Sequence, residues 1–155
     1  MSFKTAVGRT PHLENAWQPG LQALRAQDRP HVVATDPRRL KGSVYVDEAL
    51  QAFQPQANRW DFAIGYRHSN QQQDFIYWVE VHTANDKETE VVLRKLDWLR
   101  QWLRVQGNPL SGFKRDFIWV SSGSTSFTLT APQVKRFALL GLQQRGRVLR
   151  IPVVR

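Results

Sequence analysis

Eight residues, Phe75-Ile76-Tyr77-Trp78-Val79-Glu80-Val81-His82, limit what this chain can fold into more than any other stretch. β-Branched and aromatic side chains dominate the run, which suits a pleated, buried strand. Yet it ends with a carboxylate and an imidazole two positions apart, and that spacing puts both on one face of a strand. A carboxylate flanked by Trp78 and Val81 costs free energy to bury unless something compensates its charge. A shorter run of the same character, Trp60-Asp61-Phe62-Ala63-Ile64-Gly65-Tyr66, carries one acid and is joined to the first by a polar link over residues 67–74. The link suits a hairpin, and pairing the two strands would bring Asp61 beside Glu80.

The rest of the chain offers partners for such a sheet. The clearest helix follows Asn85, which can cap it, with Glu88 three residues on as a capping box requires and Asp86, Glu88 and Glu90 at the positive end of the helix dipole. Val92, Leu96, Leu99 and Leu103 form one stripe at helical spacing, and Val91, Trp98 and Trp102 a second, so the wide apolar face should lie on a sheet. Lys95 falls at the margin of that face, and Gly107-Asn108-Pro109 ends the helix. Residues 115–121 read as a third core strand and 121–126 as a serine-rich loop. A second helix opens at Thr130-Ala131-Pro132 and carries apolar residues through Leu142; residues 148–154 read as a last strand that Pro152 confines to an edge. Upstream, residues 1–12 read as a loose start, 13–25 as two helical pieces broken at Pro19-Gly20, and 31–34 as an extra edge strand. Residues 36–42 read as a cationic turn, and 46–54 as a short helix with Asp47 as N-cap and Glu48 in its first turn.

A chain of 155 residues, 41% hydrophobic with six tryptophans, is long enough for one well-filled core and short for two. No repeat or linker divides it. The expected architecture is a single α/β domain over residues 1–155, a mixed central β-sheet flanked by helices, with a basic N-terminal extension at 1–43 and the core at 44–155. The absence of cysteine excludes disulfides and thiolate metal sites, the four histidines lack the paired spacing of a zinc site, and no glycine-rich phosphate loop is present. No run approaches the roughly 20 apolar residues that cross a bilayer, so a soluble, cytoplasmic protein without a membrane partner is expected. The net charge of +9 is unevenly placed. Residues 1–43 hold seven Lys/Arg against three acids, 44–113 seven against nine, and 114–155 eight against one. An acidic middle framed by basic flanks suits a site acting on a polyanion.

Asp61 near the start of one strand, followed nineteen residues on by the triplet Glu80-Val81-His82, resembles the active-site signature of the PD-(D/E)XK nucleases, with histidine where that family usually has lysine. The order of elements is also similar to that family's core of helix, three strands, helix and strand, with the early strand that the resemblance implies either at 44–46 or missing. The resemblance implies a restriction-endonuclease-like core and metal-dependent cleavage of phosphodiester bonds in DNA or RNA. It implies Asp61, Glu80 and the backbone carbonyl of Val81 as ligands of Mg²⁺ or Mn²⁺, Glu48 as a further ligand, and His82 or a relocated Lys95 as the group assisting the attacking water. Arg38, Arg39, Lys41, Arg145 and Arg147 become the expected nucleic-acid contacts. Beside this stand plainer readings: Asp61 and Glu80 as strand-end acids paired with arginines such as Arg59, Glu48 as a complement to the helix dipole, and His82 as a hydrogen-bonded strand-end histidine. The rival for the whole chain is a catalytically inactive protein of the same fold that binds nucleic acid or a protein partner, including a second copy of itself.

Overall fold

The computed structural model describes residues 1–123 and 128–154. The chain runs through helix α1 (Phe3–Gly8), strands β1 (Trp17–Gln18), β2 (Val32–Ala34) and β3 (Leu40–Tyr45), helix α2 (Val46–Leu50), and the hairpin β4 (Phe62–Tyr66) and β5 (Phe75–His82). It continues through helix α3 (Asp86–Arg104), strand β6 (Arg115–Ser121), helix α4 (Ala131–Leu140), and strands β7 (Leu142–Gln144) and β8 (Leu149–Ile151). Six strands form one mixed sheet in the order β1-β3-β4-β5-β6-β7, antiparallel as far as β5 and parallel from β5 to β7. Each parallel step requires a crossover, and α3 and α4 supply the two. The remaining strands, β2 and β8, pair in parallel as a separate two-stranded sheet.

Alternation along β5 divides the hydrophobic interior in two. Ile76 and Trp78 belong with Leu96, Leu99 and Trp102 of α3, whereas Tyr77, Val79 and Val81 belong with Leu24, Val32, Leu149 and Ile151 on the other side. Trp78 and Trp102 meet edge to face at 6.2 Å between ring centroids. Leu96 and Leu99 are removed from water almost completely, each contributing roughly 2 kcal/mol by that burial. Helix α3 packs on the sheet through the stripes its spacing predicts, and β5 and β6 have the bounds that their apolar runs predict.

The first 43 residues are not an extension to a core beginning at 44. Phe3, Ala6, Val7 and Leu13 are fully buried in the α3-side core, β1 is the sheet's first strand, and β3 already starts at Leu40 within the expected turn. Where a loose start is predicted, the Ser2 side chain accepts a hydrogen bond from the Thr5 N–H and caps α1. Residues 13–25 hold turns and the two-residue β1 where two helical pieces are predicted. Trp17 explains the difference: its Nε1 donates to the Lys41 carbonyl at 3.0 Å, and its ring fills the space beside Gly42 where a Cβ would lie. Gly42, at φ 107, makes that approach available.

Helix α2 stops at Leu50, and its N-cap position is Tyr45; Asp47, the predicted cap, instead accepts from Arg59 Nε at 2.9 Å. In α4 the apolar residues continue past the helix, but Gly141 at φ 70 terminates it in a left-handed cap and releases Leu142–Gln144 to pair with β6. The final strand is shorter than the predicted 148–154: it covers Leu149–Ile151, stops before Pro152, which has no N–H to donate, and pairs with β2 outside the six-stranded sheet. Part of the serine-rich loop predicted at 121–126 lies outside the described residues.

Candidate active site

The hairpin register brings the two acids together. Phe62 is the last β4 residue paired with β5, opposite Val79, so Asp61 and Glu80 follow at the point where the ladder opens. There the side chains replace the missing rungs: the Val81 N–H donates to Asp61 Oδ2 at 3.0 Å, and the Asp61 N–H donates to Glu80 Oε1 at 3.1 Å. The Asp61 carbonyl accepts from the Val46 and Asp47 N–H groups at the start of α2, at 2.8 and 3.4 Å. Asp61 is therefore held from β5 and from α2 at once. Val81, whose carbonyl the family resemblance offers as a ligand, takes part here through its N–H.

Glu80 and His82 project on the side of α3. From that helix Lys95 Nζ donates to Glu80 Oε2 at 2.6 Å, so the cation that the sequence places at the edge of the apolar face is turned into the site. Glu80 has no exposed surface and Asp61 retains 7%. Burial, and then the charge of Glu80, hold the Asp61 carboxyl well above the usual carboxylate range, against the opposing pull of Lys95 and the Val81 N–H. Burial draws the Lys95 ammonium down, but the Glu80 and Asp61 carboxylates together outweigh it and raise the group above its ordinary value.

His82 bridges two acids. Its Nδ1 lies 3.5 Å from Glu80 Oε2, an electrostatic contact longer than a good hydrogen bond, and its Nε2 lies 2.9 Å from Glu88 Oε2. Glu80, with Glu88 assisting, raises the imidazole above its ordinary value in spite of burial, and His82 in turn lowers the Glu88 carboxyl. The Trp119 indole N–H fixes the strand end by donating to the His82 carbonyl at 2.9 Å. Glu88 is the residue that sequence reasoning misses. Asn85 does cap α3, accepting from the Glu88 N–H at 2.9 Å, but the Glu88 carboxylate reaches His82. The capping spacing explains Glu88 locally and hides its tertiary partner.

Arg59 does not pair with either core acid. Its Nε donates to Asp47 and its Nη1 to the Gln54 carbonyl, and among the described residues no arginine forms an ion pair with Asp61 or Glu80, whose cationic contacts are Lys95 and His82 on Glu80. Glu48 is exposed on the wall of a cavity of about 690 Å³ shared with His12, Arg25, Tyr45 and Phe53. Among the described residues no three His, Asp or Glu side chains gather as a metal-ligand set, so Glu48 does not complete one with Asp61 and Glu80. The predicted nucleic-acid contacts are dispersed. Arg38 and Arg39 precede β3 and both reach Asp36, at 3.1 and 3.5 Å, while Lys41 is half-buried within β3. Arg145 and Arg147 are exposed between β7 and β8, and Arg145 donates to Gln143 Oε1 at 3.0 Å. Comparison with family models, with curated proteins and with solved structures found no match.

Proposed function

We propose that this protein is a metal-dependent phosphodiester hydrolase of the PD-(D/E)XK kind, with a restriction-endonuclease-like core, acting on a nucleic-acid strand. The observation that carries the reading is the Lys95–Glu80 hydrogen bond at 2.6 Å beside Asp61, which returns from the helix the lysine that the strand triplet lacks. Two buried carboxylates lie side by side with Lys95 on Glu80, and Asp61 is held toward its protonated form by burial first and then by the negative charge of Glu80. A divalent cation would relieve that excess. Among the described residues Asp61 Oδ1 accepts no hydrogen bond, leaving one oxygen of the pair available. Asp61 and Glu80 would hold the ion; Mg²⁺ and Mn²⁺ accept carboxylate oxygens and complete their shells with water and substrate phosphate. When bound, the ion supplies Lewis acidity and an acidified water.

The other side chains have roles set by their charge. Lys95, kept cationic by both acids, orients the attacking water and offsets charge that develops on the phosphate. His82, bridged between Glu80 and Glu88, is biased toward its protonated form and acts as a second cation that positions Glu80, not as a free base.

The test is incubation of pure protein with single- and double-stranded DNA and RNA in Mg²⁺ and in Mn²⁺. Cleavage is expected, lost in Asp61→Asn and Glu80→Gln and slowed about 100-fold or more in Lys95→Met. Cleavage that persists in both acid variants would overturn the assignment; binding without cleavage in either metal would favour the inactive, nucleic-acid-binding alternative.

A further inference from the structure

A cationic pocket lies toward the far end of α3. Arg100 and Arg104, in the last turns of that helix, and Arg115, the first residue of β6, line a cavity of about 420 Å³ floored by Phe117. The cavity has no acidic residue in its wall, and among the described residues none of the three guanidinium groups forms an ion pair. Arg100 and Arg115 both approach the Phe117 ring, at 5.3 and 5.8 Å from its centroid, which holds two like charges close together. Burial and then the charge of Arg100 lower the Arg115 guanidinium below the usual arginine range. Arg115 is anchored by donating to the Ser111 carbonyl at 2.8 Å, and Arg100 by donating to the Leu140 carbonyl. The Nε–H of Arg100 is buried and meets no acceptor. A cation in the last turn complements the helix dipole, which accounts for Arg104. It does not account for Arg115, which comes from a strand and is brought against Arg100 without a carboxylate between them.

We propose that this pocket binds a phosphate group. Guanidinium forks match phosphate oxygens in pairs, and a phosphate dianion offsets charge from several arginines where a single carboxylate would offset one. The pocket is separate from the acid pair: Arg115 pairs with Ile76 and Trp119 with Glu80, four residues along the sheet, or roughly 13 Å at strand rise. The proposal therefore stands without the hydrolase reading. The phosphate has two candidate sources, a free phosphate compound or the backbone of a nucleic-acid strand.

The experiment follows thermal unfolding and calorimetric binding of the full chain in a chelator at matched ionic strength, so that no divalent ion engages the acids. Sodium pyrophosphate is one probe and a short single-stranded oligonucleotide the other. Arg115→Gln and Arg104→Gln are compared with the wild type and with Arg94→Gln, which alters an exposed arginine of α3 outside the pocket. Pyrophosphate is expected to raise the wild-type Tm, and Arg115→Gln to weaken binding about tenfold, as loss of one charge-assisted contact does. Without ligand, Arg115→Gln should melt no lower than the wild type, because it relieves the repulsion from Arg100. Pyrophosphate binding lost in Arg115→Gln identifies a free phosphate compound, whereas oligonucleotide binding lost there with pyrophosphate silent identifies the strand backbone. Absence of both, or binding equal in wild type and Arg115→Gln, overturns the proposal.

Discussion

Lys95 reaches across from α3 to donate to Glu80 Oε2 at 2.6 Å, placing an ammonium against a carboxylate that has no exposed surface. The attraction is strong because water is excluded, and for the same reason neither partner tolerates removal of the other. Lys95→Met leaves Glu80 buried with only His82, 3.5 Å away, as a cationic neighbour, which should destabilise the fold by about 3 kcal/mol. Adding Glu80→Gln to Lys95→Met should recover much of that loss. Denaturant unfolding of the two single variants and the double variant measures the effect as a double-mutant cycle; additive losses would show that the pair is not energetically linked.

Asp61 makes the protein's stability depend on pH in an identifiable direction. Its carboxyl is held well above the usual range by burial and by Glu80. An acid that binds its proton more tightly when folded contributes its full stability below its unfolded value of about 3.9, and that contribution is lost as the pH rises toward the folded value. Asp61→Asn has no such loss. The variant should therefore gain Tm relative to wild type as the pH climbs from about 4 to 7, in the absence of metal. A Tm difference that stays constant over that interval contradicts the assignment.

His82 has a separate pH window. Its raised value means that the contribution is complete below the unfolded value of about 6.5 and disappears as the pH rises through the folded value. His82→Asn should cost most stability in mildly acidic solution and progressively less in alkaline solution. Titration of the imidazole by NMR gives the folded value directly, and Glu88→Gln should move it down by removing the acid at 2.9 Å. An unmoved titration would mean that Glu88 does not act on His82.

Gly65 tests the seating of the first helix. A Cβ at this position in β4 would lie 2.5 Å from the Phe3 ring, and the Phe3 N–H donates to Asp74 Oδ2 at 2.8 Å. Gly65→Ala should destabilise the protein by about 1–3 kcal/mol through overpacking, and hydrogen exchange should rise in α1 more than in α3. Full stability in the alanine variant would show that α1 adjusts without loss.

Local patterns made the central elements legible. The β-branched and aromatic run at 75–82, the stripes of α3 and the cap at Asn85 each depend on neighbours a few residues away, so periodicity and capping chemistry recover them. The meeting of Asp61 with Glu80 was legible because consecutive strands joined as a hairpin lie antiparallel side by side, although the eight-residue link left the register, Phe62 opposite Val79, to the fold. Less legible was anything decided by a distant partner. Phe3, Ala6 and Val7 have helical spacing, but their burial depends on a sheet assembled far along the chain, and β7 exists because β6 presents an open edge to Leu142.

The amino-acid sequence by itself determined the strand that carries Glu80 and His82, the hairpin that opposes Asp61 to it, and the helix that carries Lys95, since these follow from side-chain period and chain continuity. Tertiary structure alone decided where the charged groups finish: Lys95 on Glu80, Glu88 on His82, Arg59 on Asp47, and Arg115 beside Arg100. Long polar side chains have many rotamers and are compatible with several local roles, so their partners are selected by the packing of the elements that bear them.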